Sequence, residues 1–92
     1  MPNKILETPL QLSIVIPCYN EEEVLSETVT QMSKLVDEMI EENLVANNSS
    51  IWFIDDGSKD KTWQMIEEYS QTNTKIKGIK LSRNKGHQNA LL

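Results

Sequence analysis

Short apolar runs rich in β-branched residues alternate along this chain with longer amphipathic segments. The runs lie at residues 12–16, 51–54 and 76–81, and they are typical of buried β-strands. Residues 22–42 carry apolar side chains at intervals of three and four, which predicts a helix, and a second, shorter helix is predicted after the second run. Strands that alternate with helices in this way predict an α/β fold with a parallel sheet and right-handed crossovers.

Polar residues mark the predicted starts of both helices. Asn20, followed three residues later by Glu23, resembles a capping box for the first helix. Asp60 is the expected cap of the second helix, which is predicted to end near Ser70. We therefore expect each helix to begin shortly after a strand has ended.

Three parallel strands leave an open edge and apolar surface that a stable domain has to cover. The sequence also ends in Ala90-Leu91-Leu92, like the start of a third helix. We therefore expect residues 12–92 to be the N-terminal part of a domain that continues beyond residue 92. Residues 1–11 are expected to form an N-terminal tail.

Composition argues against several other classes of protein. The 92 residues include 9 Lys+Arg and 14 Asp+Glu, and a formal net charge of −5 argues against nucleic-acid binding. One cysteine, Cys18, allows no internal disulfide, and no Cys/His cluster is suited to zinc. No apolar run approaches the roughly 20 residues of a membrane helix, and no signal peptide is recognisable, so we expect a soluble, cytoplasmic segment.

Polar loops follow all three predicted strands, at residues 17–21, 55–58 and 82–87. The carboxyl ends of parallel strands meet at one edge of a sheet, where ligands usually bind. Tyr19 offers an aromatic face to a base, and Arg83 offers a cation to a carbonyl or phosphate oxygen. A carboxylate of Asp55 or Asp56 accepts from a base or ribose. Together these side chains indicate a nucleotide site.

Other nucleotide motifs are absent. No G-x-G-x-x-G follows the first strand, and residues 57–62 lack the second glycine of a phosphate-binding loop. The acidic pair follows the second strand, whereas phosphate-receiver domains carry theirs after the first. Dinucleotide, simple nucleoside-triphosphatase and receiver chemistry are therefore disfavoured.

Three sequence blocks resemble a known family. Ile-Val-Ile-Pro-Cys-Tyr-Asn-Glu-Glu at 14–22, Ile-Asp-Asp-Gly-Ser-Lys-Asp-Lys-Thr at 54–62 and Leu-Ser-Arg-Asn-Lys-Gly-His-Gln-Asn-Ala-Leu at 81–91 are similar to the first three blocks of glycosyltransferase family 2, which has a GT-A, Rossmann-like fold. The third block most resembles polyprenyl-phosphate sugar transferases of the bactoprenol and dolichol-phosphate type. Since each block lies at a strand end and the order matches, the resemblance is specific.

The resemblance implies a role for individual residues. The first block lines the nucleotide pocket, the acidic pair contacts base and ribose, Arg83 approaches base or phosphate, and its neighbours shape the turn. His87 replaces the lysine that many relatives carry after the glycine of the third block, which leaves a phosphate contact there unassigned. The expected nucleotide-binding residues are Pro17, Tyr19, Asn20, Glu21, Asp55, Asp56, Arg83, Asn84 and Gly86.

The resemblance also implies what this chain lacks. The family's metal motif and catalytic base lie beyond these blocks, so we expect neither catalytic nor metal-binding residues here and no transfer by the segment alone. The full-length protein is expected to be a hexosyltransferase that uses a UDP- or GDP-sugar and Mg²⁺ or Mn²⁺. Polyprenyl phosphate as acceptor would place it in cell-envelope synthesis, attached to the cytoplasmic face of a membrane.

Alternatives remain open at this stage. A non-catalytic nucleotide-binding module, or an α/β module that docks a partner through its acidic helix or its basic third strand, also fits the pattern. The sequence does not decide the sugar, base, acceptor or oligomeric state, nor which of Asp55 and Asp56 contacts the base. Asp60 is interpreted as a helix cap outside the site, and Cys18 as an inert small residue.

Overall fold

The computed structural model describes residues 9–81 of the chain. Three parallel strands form one sheet in the order β1-β2-β3, which confirms the α/β class predicted from the alternating apolar runs. Two helices connect the strands. The elements in chain order are β1 (Ser13–Cys18), α1 (Leu25–Glu41), β2 (Ser50–Asp55), α2 (Thr62–Thr72) and β3 (Ile76–Lys80).

Both helices cover the same face of the sheet. Alternate residues of the strands point to this face, and Ile51 and Phe53 of β2 are fully buried there. They form one core cluster with apolar residues of both helices and of the flanking strands: Cys18, Leu25, Val29, Val36, Ile66 and Ile76. Helix α1 therefore buries part of the apolar stripe that its spacing predicts, whereas Val24 and Leu35 of that stripe are exposed.

Gly78 lets α2 approach β3 closely. A Cβ atom at this position would lie 2.5 Å from Cγ2 of Ile66 and 3.1 Å from the ring of Trp63. Carbon atoms in contact prefer separations of about 3.5–4.0 Å. A glycine within a short strand weakens its sequence signal, and here its physical role is to make room for α2.

β1 continues two residues beyond its predicted end and includes Pro17. The carbonyls of Leu12 and Cys18 accept hydrogen bonds from the N–H groups of Ser50 and Asp56, each at 2.9 Å. Successive residues of a strand direct their backbone polar groups to opposite sides, so the nitrogen of Pro17 faces away from β2. Proline removes no donor from this pairing, and the strand continues through it.

Helix α1 begins later than the predicted residue 22. The N–H groups of Val24 and Leu25 both donate to the carbonyl of Glu21, at 3.0 and 2.9 Å, and residues 22–24 form a turn. No side chain caps the helix start, where Val24 is the N-cap residue. The capping box predicted from Asn20 and Glu23 is therefore wrong, because Asn20 has a different set of partners.

The opposite face of the sheet is less covered among the described residues. Val15 is 61% exposed and Ile79 41% exposed, while Trp52 and Ile54 are half-buried. Trp52 satisfies its indole N–H by donating to Oγ of Ser50 at 2.9 Å. Neither helix within residues 9–81 has the length and apolar character needed to cross a membrane.

Candidate functional site

The two strand ends that precede the first two polar loops lie side by side. Cys18 is in register with Asp55, and the N–H of Asp56 donates to the carbonyl of Cys18 at 2.9 Å. The carbonyl of Asp55 in turn accepts from the N–H of Leu81 at 2.9 Å, just after β3. All three chain segments therefore leave the sheet at one edge, as the sequence predicts for a ligand site in a parallel sheet.

Four hydrogen bonds join the loop after β1 to the loop after β2, and a fifth joins the first loop to Thr62, the first residue of α2. We call residues 19–24 loop 1 and residues 56–61 loop 2. Together, the five bonds form what we call the loop brace. Its members are Asn20 N–H to Ser58 Oγ (2.8 Å), Lys59 N–H to Asn20 Oδ1 (2.8 Å), Glu21 N–H to Thr62 Oγ1 (2.8 Å), Glu22 N–H to Asp60 Oδ2 (3.2 Å) and Lys61 N–H to Glu22 Oε1 (2.8 Å).

Asn20 has a backbone conformation that few residues adopt. Its φ of 52° lies in the left-handed region, where asparagine is among the residues best tolerated after glycine. The turn directs its side-chain oxygen to the N–H of Lys59 and its own N–H to Ser58. Asn20 therefore connects the two loops instead of capping α1.

Loop 2 contains its own left-handed residue, Gly57, with φ of 83°. A side chain there would be strained, so the Asp-Gly-Ser sequence suits this turn. The turn brings the N–H of Ser58 back to Oδ2 of Asp55, at a long 3.4 Å. The chain after β2 thus folds over the carboxylate that ends this strand.

Asp55 is the least satisfied polar side chain at this edge. It is 0% exposed, and no described group donates a hydrogen bond to its Oδ1 atom. Leaving a buried acceptor without a donor costs about 1–3 kcal/mol, and more for a charged group. Such exceptions need an explanation, and a ligand donor is one that fits a strand end in a parallel sheet.

The other expected site residues differ in exposure. Tyr19 is 49% exposed, so a large part of its ring is accessible to a ligand, and Asn20 and Pro17 are also exposed. Glu21 and Asp56 are partly buried. The described site therefore combines a buried carboxylate with an accessible aromatic ring.

Asp60 binds both the start of α2 and loop 1. Its Oδ1 accepts from the backbone N–H and the hydroxyl of Thr62, and its Oδ2 accepts from the N–H of Glu22. Although partial desolvation raises the pKa of Asp60, the hydrogen bonds from Thr62 and Glu22 outweigh it and hold that pKa below its ordinary value. The N-cap residue of α2 is Lys61, whose side chain makes no capping bond, so Asp60 lies one residue before the cap position and binds the N–H of the first helical residue. Its contact with loop 1 is not predicted from the sequence.

Cys18 does not have the properties of a reactive nucleophile. Burial, together with the negative charges of Glu21 and Asp55, raises the pKa of its thiol to about 11. At neutral pH the thiol therefore stays protonated, and a thiolate is the form that attacks. This agrees with its interpretation as an inert residue.

Residues 13–92 match the family model described as "Glycosyl transferase family 2". This chain belongs to glycosyl transferase family 2. The match includes β1, β2 and both loops of the site. It confirms the family that the three sequence blocks indicate, while the polyprenyl-phosphate subtype stays a prediction.

Three curated relatives are similar to this chain. The uncharacterized glycosyltransferase YkoT of Bacillus subtilis (strain 168) is 56% identical over 81 residues, which cover 88% of this chain and 24% of YkoT. The uncharacterized glycosyltransferases YkcC of the same organism and sll0501 of Synechocystis sp. are 39% and 37% identical over 82 residues, with 89% of this chain and 24% of each relative covered. The chain thus spans about a quarter of the length of these relatives.

The divalent metal that family 2 resemblance implies has no site within residues 9–81. No three His, Cys, Asp or Glu side chains converge there in a way that would hold an ion. Carboxylates do line an open pocket of about 330 Å³ beside loop 1, but those of Glu22 and Asp60 accept backbone hydrogen bonds of the brace. The pocket's negative charge also disfavours a bare diphosphate.

Part of the expected family 2 site cannot be located. Arg83, Asn84 and Gly86 lie outside the described residues, as do His87 and the predicted third helix. A larger open cavity, of about 590 Å³, lies along α1 near Asn73, and no residue of loop 1 or loop 2 lines it. The described features that suit a ligand therefore concentrate at the carboxyl edge of the sheet.

Sequence reasoning missed Ser58 and Thr62 as parts of the site. Both accept hydrogen bonds from loop 1, and Thr62 is completely buried. The available signal was the Asp-x-Thr spacing at the start of α2, which is typical of a capped helix but says nothing about a partner some 40 residues earlier.

Proposed function

We propose that this chain is the nucleotide-binding part of a glycosyltransferase, and that loops 1 and 2 hold the nucleotide of a nucleotide-diphospho-sugar. The observation that carries this proposal is the buried carboxylate of Asp55, whose Oδ1 has no donor among the described residues. A base or ribose N–H or O–H group would supply that missing donor. Family membership supports the same class of ligand.

The proposed arrangement places the neutral and the anionic parts of the nucleotide-diphospho-sugar in different parts of the site. Carboxylates of Glu21, Glu22 and Asp60 surround the pocket beside loop 1, so the base and ribose suit this end better than the phosphates. The ring of Tyr19 is accessible for stacking on the base. The phosphates would extend toward Arg83, whose cation the sequence places after β3.

The full-length protein would catalyse sugar transfer. An acceptor oxygen forms a bond to the anomeric carbon of the sugar, the bond from that carbon to the diphosphate breaks, and the nucleoside diphosphate leaves. A divalent ion, when bound, stabilises the charge that develops on the leaving group. Since no metal site lies within residues 9–81, we propose that its ligands and the catalytic base are supplied by other parts of the protein, and that this chain alone transfers no sugar.

The acceptor proposed here is a polyprenyl phosphate, and the reaction would take place at the cytoplasmic face of a membrane. This finer proposal rests on the third sequence block, residues 81–91. Extraction assays with polyprenyl phosphate and a radiolabelled UDP- or GDP-sugar test it in the full-length protein. Label that stays entirely in the aqueous phase would contradict this choice of acceptor.

Calorimetry of UDP and GDP against the full chain, with and without Mn²⁺, tests the nucleotide site. Asp55→Asn keeps the size of the side chain but removes its charge and one acceptor. We expect binding to weaken by about 10- to 100-fold, because hydrogen bonds to charged groups contribute about 1.5–3 kcal/mol. The matched control is Asp37→Asn, on the exposed side of α1 and distant in the fold from both loops.

Stability measurements separate a lost ligand contact from a damaged fold. Since Asp55→Asn removes a buried charge that lacks full pairing, its melting temperature should equal or exceed that of the unsubstituted chain. Equal affinity of Asp55→Asn and Asp37→Asn for UDP and GDP would refute the site. Asp56→Ala, measured in parallel, decides which member of the acidic pair contacts the base.

A further inference from the structure

A buried hydroxyl at the start of α2 holds the backbone of loop 1. Oγ1 of Thr62 accepts from the N–H of Glu21 at 2.8 Å and donates to Oδ1 of Asp60. Since a hydroxyl has one proton to donate, the bond to Asp60 fixes its orientation and turns a lone pair toward Glu21. Thr62 is completely buried, and both hydrogen bonds of its hydroxyl are made to protein groups.

The second carboxylate oxygen of Asp60 extends the same contact by one residue. It accepts from the N–H of Glu22 at 3.2 Å, so Thr62 and Asp60 together bind two consecutive backbone N–H groups of loop 1. The hydrogen bonds that lower the pKa of Asp60 keep it ionised and acceptor-only at neutral pH. Loop 1 is therefore held in place by groups at the junction of loop 2 and α2.

Loop 1 needs such an anchor, because its own conformation is unfavourable. Asn20 lies in the left-handed region, and no side chain caps the start of α1. Tyr19, the accessible aromatic residue, is two residues before Glu21 and directly follows β1. The position of its ring relative to Asp55 thus depends on where the brace holds the loop.

We propose that Thr62 and Asp60 are positioning residues for the nucleotide site: they fix loop 1 so that Tyr19 and Asp55 face the same nucleotide. This inference rests on the proposed function, whose ligand it does not change. Both residues therefore contribute to ligand affinity, although neither is required to touch the ligand. The effect is transmitted through the backbone of Glu21 and Glu22.

The first test replaces Thr62 by valine, which keeps the shape but removes the hydroxyl. We expect the affinity for UDP, or for GDP if the chain prefers it, to fall about tenfold, because the brace bond to Glu21 and the hydroxyl bond to Asp60 are both lost. Amide hydrogen exchange of Glu21 and Glu22 should become faster, while exchange of the core amides of β2 changes less. Thr62→Ser restores the hydroxyl and should restore affinity to within about twofold.

Val36→Ala is the matched control for lost stability. Val36 is completely buried in α1, eleven residues after the first residue of that helix and so roughly 16 Å along its axis from loop 1. It should lower the melting temperature without altering nucleotide affinity. Equal affinities of Thr62→Val and Val36→Ala would overturn the positioning role while leaving the proposed function intact.

Ser58→Ala provides a second test if the valine variant fails to fold. It removes the acceptor of the Asn20 N–H at a half-buried loop position, and we expect no folding defect. Nucleotide affinity should fall severalfold, with a nearly unchanged melting temperature. Unchanged affinity in Ser58→Ala would contradict the brace, whereas an unsubstituted chain that binds neither UDP nor GDP would refute the proposed function itself.

Discussion

Replacing Gly78 by alanine tests how closely α2 packs against the sheet. The added Cβ would lie 2.5 Å from Cγ2 of Ile66 and 3.1 and 3.3 Å from two ring atoms of Trp63. Overpacking of this kind costs about 1–3 kcal/mol. The lower backbone entropy of unfolded alanine offsets roughly 0.5–1 kcal/mol of that cost. We expect a net loss of about 1–2 kcal/mol.

Urea unfolding of the full chain, followed by circular dichroism, measures this loss. A destabilisation of about 1 kcal/mol lowers the melting temperature of a domain this size by about 4–8 °C, so thermal unfolding provides a second reading. Lys77→Ala, at the exposed neighbouring position of β3, is the control and should change stability by no more than about 0.5 kcal/mol.

A double substitution identifies the clash as the cause. Ile66→Leu removes the Cγ2 methyl group that the new Cβ would meet, so Gly78→Ala should cost less in that background. The two substitutions are then non-additive by about 0.5 kcal/mol or more. A Gly78→Ala chain as stable as the original, or strictly additive effects, would refute the close packing described here.

Three further predictions concern the site. Asp60→Asn should destabilise the chain at neutral pH. The pKa of Asp60 in the folded chain lies below its ordinary value of 3.8. The stability that its charge contributes is therefore present above about pH 4 and is lost as the pH falls through the folded pKa. Unfolding at pH 7, 5 and 3 checks this, and a difference from the original chain that does not narrow in acid would contradict it. Cys18, with a thiol pKa of about 11, should resist alkylation by iodoacetamide at pH 8 in the folded chain and react in urea. Mass spectrometry measures both alkylation rates, and equal rates in the folded and unfolded chain would contradict the burial of this thiol. Gly57→Ala should cost about 1 kcal/mol because φ there is 83°, and an unfolding free energy equal to that of the original chain would exclude strain in loop 2.

The strands and the helices were predictable because their signals are local. Ile51 and Phe53 lie in a short apolar run, and the stripe of Leu25, Val29 and Val36 has helical spacing, so burial follows from the pattern. Pro17 predicts the end of β1 because proline lacks a backbone donor. Whether a donor is needed at this position depends on which side of β1 pairs with β2, and the local sequence does not contain that information.

The site was predictable in position but not in its connections. Asp55 and Tyr19 were expected at strand ends, and the structure describes both there. Asn20 was interpreted as a helix cap, since asparagine favours caps and left-handed turns alike. The bonds of the loop brace join residues 38–41 positions apart, a pairing that a single sequence does not reveal.

We propose that a nucleotide binds at the edge where loops 1 and 2 meet. Titration of UDP and GDP, with Mg²⁺, into the ¹⁵N-labelled full chain tests it most directly by amide chemical shifts. We expect the largest shifts at residues 19–22 and 55–58, with little change around Ser33 and Asn73 in the cavity along α1. Shifts concentrated in that cavity, or no shifts with either nucleotide, would contradict it.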